Sequence, residues 1–360
     1  MGMKRNVFGG VIGALLTVAP ASGQRAVLRP IATLTLDGPA DVPLAQPVGL
    51  SIDDTGRILV IDGRVPRGLL YQPDGRYVLT LGTKGNGPGE FTDAFLGVPF
   101  PNGQFGIVAD ARPPGLFLFD GTSGKFVRKL TLTLASLPTA ALLDGNRTLL
   151  LGSISFANRA SILRVDLETG RESWIGPLPD VFQPGGPIAG IFHGVYPVKL
   201  SPDRLLIGYE PLGELLDVRI SSGQHSTVSI PVERRRGQPD DLAKRLRDAM
   251  RASYGHVFAQ TSDLRFAVSV GPLQVLVVYA DLTSDMPPVP GAAYMTVLDL
   301  GSRRACVDVP VPMERETLPV FTWHDGKLGI LQQVIVGTEA QTRLTWYGLD
   351  LSACRWSELR

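Results

Sequence analysis

Short apolar runs that end at an aspartate recur along the chain at a nearly constant spacing. The run 58–61 ends at Asp62, and the run 105–109 ends at Asp110. The two aspartates are 48 residues apart, from position 62 to position 110. Short continuous apolar runs bounded by turn residues predict β-strands that are buried on both faces. The pattern therefore predicts a repeated unit that is built from short strands.

The third predicted strand of this unit ends at six points along the chain, and these points measure the period. They are Gln72, Asp120, Asp166, Ser221, Asp299 and Asp350, separated by 48, 46, 55, 78 and 51 residues. A period of about 40 to 50 residues with four short strands in each repeat is typical of a propeller blade. The sequence therefore predicts an all-β fold, a six-bladed β-propeller with four-stranded antiparallel blades.

The separation of 78 residues between Ser221 and Asp299 is the longest of these intervals. It is long because a segment unlike the repeat lies between the fourth and fifth blades. Residues 233–254 have apolar side chains at positions i, i+4, i+7 and i+8, which predicts a short helical insertion. These positions are Leu242, Leu246, Ala249 and Met250, and Asp240 or Asp241 can cap the helix. The segment has seven basic and four acidic residues, a net charge of +3. The helix could cover the channel mouth as a lid, dock a partner, or only pack its apolar stripe on the blade rim.

The two ends of the chain are predicted to close the ring together. Residues 31–36 alternate in polarity, and we expect this strand to join blade six beside a C-terminal strand around residues 355–359, which leaves no exposed hydrophobic edge. Cys306 and Cys354 are the only cysteines. Each is predicted to lie in the outer strand of its own blade. Because outer strands of neighbouring blades diverge, we expect two separate thiols rather than a disulfide.

The N-terminal residues have the pattern of an export signal. Lys4 and Arg5 precede the apolar run 7–18, and the small residues 21–23 offer a cleavage site. We therefore predict a signal peptide at 1–23, a single propeller domain at 24–360, and export to the periplasm or the extracellular space. An uncleaved membrane anchor is the alternative. No second segment has the length of a membrane span, which is about 20 apolar residues.

The charge balance excludes a protein dedicated to nucleic acids. The chain has 35 basic and 34 acidic residues, and loss of Lys4 and Arg5 leaves a net charge of −1. A nucleic-acid binder would carry a strongly basic surface. We expect a monomer that binds a protein or a small molecule, with no membrane span after removal of the signal.

The stretch between the first two blades, Gly82 to Phe91, has four glycines and could be taken for a phosphate-binding loop. It lacks the Gly-Lys-Ser/Thr ending of such a loop, and no helical pattern follows it. We interpret it as the joint at which the chain turns from one blade to the next, with Phe91 filling the gap between them. Asp62 and Asp110 are interpreted in the same way, as caps of strand ends.

The segment Gly85 to Phe91, followed by an inner strand, a turn and an apolar strand that ends in Asp, resembles NHL-repeat proteins. It is most similar to the bacterial exported six-bladed propellers related to them. The resemblance covers residues 46–134 best, and the last three blades lack the Gly-Pro-Gly-Glu-Phe loop. It implies a ligand-binding or scaffolding module, since only a minority of related propellers are enzymes.

Candidate ligand-binding residues are few. Arg64 and Arg112 occupy equivalent positions after the second strands of two blades and could present guanidinium groups to an anion. His193 and His256 are predicted to precede the inner strands of adjacent blades at one channel mouth, where imidazoles could bind a ligand or a metal. The alternative to a binding role is that all four are ordinary polar residues in loops. No metal site is predicted, because a third ligand cannot be named.

The function that this sequence favours is a non-catalytic binding or scaffolding module of the cell envelope or extracellular space, acting through a propeller face. It needs no cofactor. The alternative is a propeller hydrolase or lyase, similar to gluconolactonase-like or amidating-lyase propellers, acting at the channel mouth. That alternative requires a divalent metal, and Asp53, Asp54, His193 and His256 are its only nominated residues. The sequence leaves the question of enzyme activity open and favours the non-catalytic interpretation.

Overall fold

Four-stranded antiparallel sheets make up most of the structure. The computed structural model describes residues 27–39, 43–110, 113–182, 186, 188, 192–249, 254–285, 290–314 and 318–359. Six sheets form the blades of a propeller, which confirms the all-β, six-bladed architecture predicted from the repeat. In the part of the chain that the structure describes, no helix has the length and apolar character needed to cross a membrane.

The strands follow one another blade by blade. The chain begins with β1 (Leu28–Thr35). Blade one contains β2 (Pro47–Ile52), β3 (Ile58–Asp62), β4 (Arg67–Tyr71) and β5 (Tyr77–Leu81). After the short pair β6 (Thr83–Lys84) and β7 (Glu90–Phe91), blade two contains β8 (Asp93–Pro99), β9 (Gln104–Asp110), β10 (Gly115–Asp120) and β11 (Phe126–Thr131). Blade three contains β12 (Ala140–Asp144), β13 (Thr148–Ser155), β14 (Ala160–Asp166) and β15 (Glu172–Pro177).

The second half of the ring has longer strands. Blade four contains β16 (Val195–Ser201), β17 (Arg204–Tyr209), β18 (Glu214–Arg219) and β19 (His225–Ser229). Two helices follow, α1 (Leu242–Asp248) and α2 (Tyr254–Phe258). Blade five contains β20 (Ser262–Gly271), β21 (Gln274–Leu282), β22 (Pro290–Asp299) and β23 (Arg304–Val311). Blade six contains β24 (Val320–His324), β25 (Lys327–Val336) and β26 (Glu339–Leu349), and β27 (Trp356–Glu358) ends the chain.

The core consists of apolar layers between adjacent blades. Every residue of β3 and β4 is buried, as expected for strands that are covered on both faces. Leu59 of blade one packs in one cluster with Ile107 of blade two. Leu331 of blade six packs in another cluster with Val60 of blade one, so the ring of apolar layers is closed. Each fully buried aliphatic side chain contributes about 1.5–3 kcal/mol, and the blades hold together through these layers.

The N-terminal strand closes the ring, as predicted, but its neighbour differs from the one expected. β1 pairs antiparallel with β26, from Leu28 opposite Leu349 to Thr35 opposite Arg343, and is itself the outer strand of blade six. The C-terminal strand β27 instead pairs with β23 and forms a fifth strand on blade five. A short 3-10 turn, Leu351–Ala353, redirects the chain from blade six to blade five.

Because the C-terminal strand returns to blade five, the two cysteines form a disulfide bond, which was not predicted from the sequence. Cys306 lies on β23 and Cys354 lies just before β27, and their Cα atoms are 5.5 Å apart in the Cys306–Cys354 bridge. The prediction of two separate thiols was wrong because it placed Cys354 in the outer strand of blade six. That position belongs to β1, so the second cysteine follows the chain to the edge of blade five.

The helical insertion lies between blades four and five when blades are counted from β2, or between five and six when the ring-closing blade is counted first. Asp241 is the N-cap residue of α1, but its carboxylate accepts a hydrogen bond from Arg245 instead of capping the backbone. Leu242 and Leu246 are buried in a cluster with Phe258 of α2. The apolar stripe of α1 is thus packed against the propeller, while the predicted helix position Met250 lies outside the described residues. The prediction that an inner strand begins directly after His256 was also wrong, because Val257 belongs to α2.

The glycine-rich stretch after blade one is the inter-blade joint that its spacing indicates. β6 and β7 pair in parallel, and Phe91 is fully buried in the layer between blades one and two. Gly82 has a φ of +70° and lies against the Phe91 ring, where a Cβ atom would come within 2.5 Å of the ring. Only glycine fits both requirements.

Candidate functional site

A central channel lies within the ring and offers a cavity at which a ligand could bind. The innermost strands β2, β8, β12, β16, β20 and β24 line a cavity of about 1050 Å³. All six strands run in the same direction. The channel therefore has a front mouth, where the inner strands begin, and a back mouth, where they end. The side of the propeller that carries the front mouth is called the front face below.

Each blade has a polar residue on or just after its second strand, at the level where the inner strand begins. These residues are Asp62, Asp110, Ser153, Glu210, Asp281 and Gln332. In five of them the side chain bonds the linker that leads into the inner strand or the first residue of that strand, at distances of 2.6–3.4 Å. In the sixth, the backbone carbonyl of Asp110 accepts the hydrogen bonds of Thr92. The front mouth is therefore framed by clamps that hold each linker in place.

Asp62 is an example of a residue whose carboxylate is fully engaged in holding its linker. Its carboxylate accepts the backbone N–H groups of Ala45 and Gln46 at 3.0 and 3.1 Å and contacts the guanidinium of Arg67 at 3.3 Å. The side chain is fully buried. The interpretation of Asp62 as a structural cap is thus confirmed.

Blade four replaces the aspartate by Glu210 and adds two charged partners from blade five. One carboxylate oxygen of Glu210 accepts the backbone N–H groups of His193 and Gly194, at 3.0 and 2.9 Å. The other oxygen lies 3.7 Å from the guanidinium of Arg265, which is 2.7 Å from the carboxyl of Asp263. Glu210, Asp263 and Arg265 therefore form a single cluster at the front mouth, and His193 lies beside it.

The two carboxyl groups of this cluster have opposite protonation preferences. Burial, only partly opposed by Arg265, raises the pKa of Asp263 well above its usual value, and the negative charge of the nearby Glu210 adds to this effect. Burial also favours a neutral Glu210. At Glu210, however, the effects of Arg265, Asp263 and the backbone N–H of Gly194 outweigh the effect of burial. They hold the pKa of Glu210 below its usual value. The shifts in pKa thus run in opposite directions, toward the neutral form for Asp263 and toward the ionised form for Glu210.

Arg265 reaches the channel because of a β-bulge. In the pairing of β20 with β21, Leu264 is opposite Tyr279 and Phe266 is opposite Val278, so Arg265 is an extra residue on its strand. Bulges of this kind re-aim a side chain and occur often beside functional sites. Val48 of β2 and Phe95 of β8 are extra residues in the same way, and all three bulged residues line the cavity near its front mouth.

The front face also carries most of the exposed apolar surface. Among the described residues, twelve large apolar side chains are exposed. Eight of them lie at the starts of inner strands, in the linkers before them, or at and just after the ends of second strands: Val48, Leu137, Phe156, Val181, Val232, Leu318, Ile335 and Val336. The other four are on the rim or at the back: Ile31, Val78, Val127 and Leu273. Such clustering on one face is typical of an interaction surface.

The structure separates the residues that the sequence nominated. His193 is half-buried and lines the front mouth. His256 is exposed on α2 and does not line the channel, because Val257 and Phe258 continue a helix instead of starting the inner strand. Arg64 is exposed in the turn after β3, and its backbone N–H bonds Asp62. Arg112 lies outside the described residues, so its relation to Arg64 stays a prediction.

The two nominated aspartates lie at the back mouth. Asp53 is buried and accepts hydrogen bonds from Thr55 and Arg57, which outweigh the opposite effect of burial and lower its pKa. Asp54 is exposed beside it. Because both follow the end of β2, they are at the opposite end of the channel from His193. Within the described part of the chain, no three His, Cys, Asp or Glu side chains come together in a way that could hold a metal ion.

The cluster at the front mouth was missed by sequence reasoning. One signal was available for Glu210, which follows the apolar run of its blade just as Asp62 and Asp110 do. No comparable signal exists for Asp263 and Arg265, because the bulge that brings Arg265 to the channel depends on strand register.

Comparison with known proteins supports the fold. No protein-family model matches the chain, and no curated protein matches it. Two similar structures come from Bacteroides fragilis, a protein described as exported, and from Bacteroides vulgatus, a member of a family of unknown function (DUF4221). They share 14% and 10% of residues, cover 90% of this chain and 96% and 98% of their own, and have TM-scores of 0.61 and 0.62. A protein of unknown function from Bacteroides thetaiotaomicron gives a TM-score of 0.52 at 13% identity, over 88% of this chain and 75% of its own. At these identities the similarity establishes a six-bladed propeller fold and nothing about the ligand.

Proposed function

We propose that this protein is a binding module that takes up a ligand with apolar surface at its front face, in the mouth of the central channel. The observation that carries the proposal is the position of the exposed apolar side chains. Val48 and Leu137 are both exposed and line the channel at this mouth. A large concave cavity with apolar walls and a few convergent polar groups is the usual form of a ligand site.

The polar groups at the front mouth favour binding over catalysis. The carboxylates of Asp62 and Glu210 are occupied by backbone N–H groups of the linkers. Groups used in this way hold the walls of the mouth in a fixed position and have little capacity left to transfer protons. A preformed mouth lowers the entropy that binding must overcome.

We also propose that the protein works in the cell envelope or the extracellular space. The Cys306–Cys354 disulfide is of a kind that persists in oxidising compartments. A structurally similar protein from Bacteroides fragilis is described as exported, which agrees with this location. The predicted signal segment 1–23 lies outside the described residues and stays a prediction.

The binding site can be tested with an uncharged fluorescent probe. N-phenyl-1-naphthylamine emits strongly only in an apolar environment, so saturable emission with the folded protein would report binding. We expect Val48→Asp and Leu137→Asp to weaken binding at least about fivefold, since a charge at an apolar wall costs about 1 kcal/mol or more. Leu273→Asp is the matched control, because Leu273 is exposed to a similar extent as Val48 but lies at the back, 38% each. Equal binding by all variants, or no saturable binding, would refute the proposal.

A further inference from the structure

We propose that the front mouth recognises a small organic carboxylate with a hydrocarbon body, with Arg265 binding its carboxylate and the channel wall binding its apolar part. This inference rests on the proposed function and adds to it the chemical class of the ligand. It is argued from the unused hydrogen-bonding capacity of Arg265, from its exposure relative to its partners, and from the residues beside it.

Arg265 has more donors than the cluster uses. A guanidinium carries five N–H donors in a planar fork. One terminal nitrogen of Arg265 bonds the carboxyl of Asp263 at 2.7 Å, and the other lies 3.7 Å from Glu210, which is too far for a hydrogen bond. The Nε atom also has no hydrogen-bond partner, but it is buried, so a ligand in the channel would pair with the terminal nitrogens. The guanidinium of Arg265 is therefore held in place by Asp263 and Glu210, but these neighbours do not accept hydrogen bonds from all of its N–H donors.

The exposed part of the cluster is its cation. The side chain of Arg265 is 25% exposed, whereas those of Glu210 and Asp263 are 13% and 2% exposed. One oxygen of Glu210 is already bound by two backbone N–H groups. A ligand that approaches from the channel thus meets the guanidinium first, and an anionic group can pair with its free donors.

Apolar side chains line the same cavity as Arg265. The other two bulged residues that reach the channel are Val48 and Phe95, and Phe266 and Phe321 also line it. A bare inorganic anion would gain nothing from such walls, whereas a hydrocarbon chain would be removed from water at about 25 cal/mol per Å² of buried surface. The combination of one guanidinium with apolar walls is complementary to a molecule with a carboxylate at one end of an apolar body.

The test compares two probes that differ only in their head group. Decanoate and 1-decanol have the same ten-carbon skeleton, and each can be titrated against protein-bound N-phenyl-1-naphthylamine. We expect decanoate to displace the fluorescent probe at a concentration at least about tenfold lower than decanol, since a hydrogen bond to a charged group is worth roughly that factor. A peptide that ends in Leu-Leu with a free carboxylate is the third probe, because the end of a protein chain has the same chemistry.

Two substitutions assign the effect to Arg265. In Arg265→Gln we expect the advantage of decanoate over decanol to disappear while decanol binding stays unchanged. Arg265→Lys keeps the charge without the fork, and we expect it to retain only part of the advantage. Arg204→Gln, which removes another arginine paired with an aspartate (Asp217), is the control and should leave all three titrations unchanged. The thermal midpoint of each variant shows whether it is folded.

The outcomes separate this inference from the proposed function. Equal displacement by decanoate and decanol in the wild-type protein would overturn the carboxylate inference even if Arg265→Gln failed to fold, and would leave the apolar site intact. Displacement by the peptide but not by decanoate would overturn the small-molecule ligand in favour of a protein C-terminus. If N-phenyl-1-naphthylamine itself does not bind, the proposed function fails first.

Discussion

Arg235 and Asp308 form a fully buried ion pair that fastens the start of the helical insertion to the outer strand of blade five. The two side chains are 1% and 0% exposed. Asp308 also accepts the backbone N–H groups of Glu233, Arg234 and Arg235, at 2.7–3.1 Å. The Arg235 guanidinium stacks over the ring of Tyr279, 4.4 Å from its centre. A carboxylate with this many donors is an anchor, because each bond would be left unsatisfied in its absence.

The first prediction concerns this anchor. We expect Arg235→Met to lower the free energy of unfolding by about 3–5 kcal/mol, because it leaves a buried carboxylate without its counter-charge. Denaturant titration followed by circular dichroism measures the change. Arg159→Met is the matched control, since its pair with Asp180 is 78% and 96% exposed and should contribute less than about 1 kcal/mol. A loss of similar size in both variants would show that the buried pair has no special role.

The second prediction concerns the Cys306–Cys354 disulfide, which ties the end of the chain to blade five. The bridge closes a loop of 48 residues. From loop entropy alone, a bridge of this span contributes about 4 kcal/mol. We therefore expect Cys306→Ala with Cys354→Ala to unfold at a clearly lower guanidinium concentration than the oxidised protein.

Reduction provides the control for this prediction. Dithiothreitol should lower the unfolding midpoint of the wild-type protein toward that of the double variant and leave the double variant unchanged. Trp356 of β27 stacks against Arg304, so tryptophan fluorescence can show whether the strand separates. Unfolding midpoints that do not respond to reduction would contradict a stabilising role.

The third prediction concerns the joint between blades one and two. Gly82 and Gly223 have the same φ, +70°, but a Cβ at Gly82 would lie 2.5 Å from Phe91 whereas one at Gly223 would meet nothing within 4 Å. Gly82→Ala should therefore destabilise the protein by the backbone strain of about 1 kcal/mol and by an additional clash. Gly223→Ala should show the strain alone. The difference between their unfolding free energies, expected at about 1–3 kcal/mol, measures how tightly Phe91 is packed. Equal losses would mean that the ring can move aside.

The sequence was sufficient to predict the repeat, but not the contacts that join residues of different blades. The 48-residue spacing of Asp62 and Asp110 revealed the repeat, and six ends of third strands along the chain gave the number of blades. A period does not report which blade edge a chain end will join, and for that reason the partner of β1 and the disulfide were missed. The front-mouth cluster was missed for a related reason. Glu210 and Asp263 belong to different blades, and the exposure of Arg265 follows from a bulge that no local pattern shows.

The fourth prediction concerns the pH dependence that the Asp263 carboxyl gives to stability. In the unfolded chain an aspartic acid ionises near pH 4, whereas folding raises the pKa of Asp263 well above that. Between these two values the folded protein holds a proton that the unfolded chain has released. Its contribution to stability is thus complete below about pH 4 and is lost as the pH rises toward the raised pKa. The slope approaches about 1.4 kcal/mol per pH unit for one proton.

Asp263→Asn removes this proton and should remove the slope. An amide does not ionise in this pH range, so we expect the stability of the variant, relative to wild type, to increase steadily from about pH 4 upward. Urea unfolding at intervals of one pH unit measures the difference. Asp54→Asn, at an exposed position of the back mouth, is the control and should follow the wild-type curve. If Asp263→Asn also runs parallel to wild type over the whole range, then Asp263 is ionised in the folded protein, and Arg265 is paired with two carboxylates instead of one.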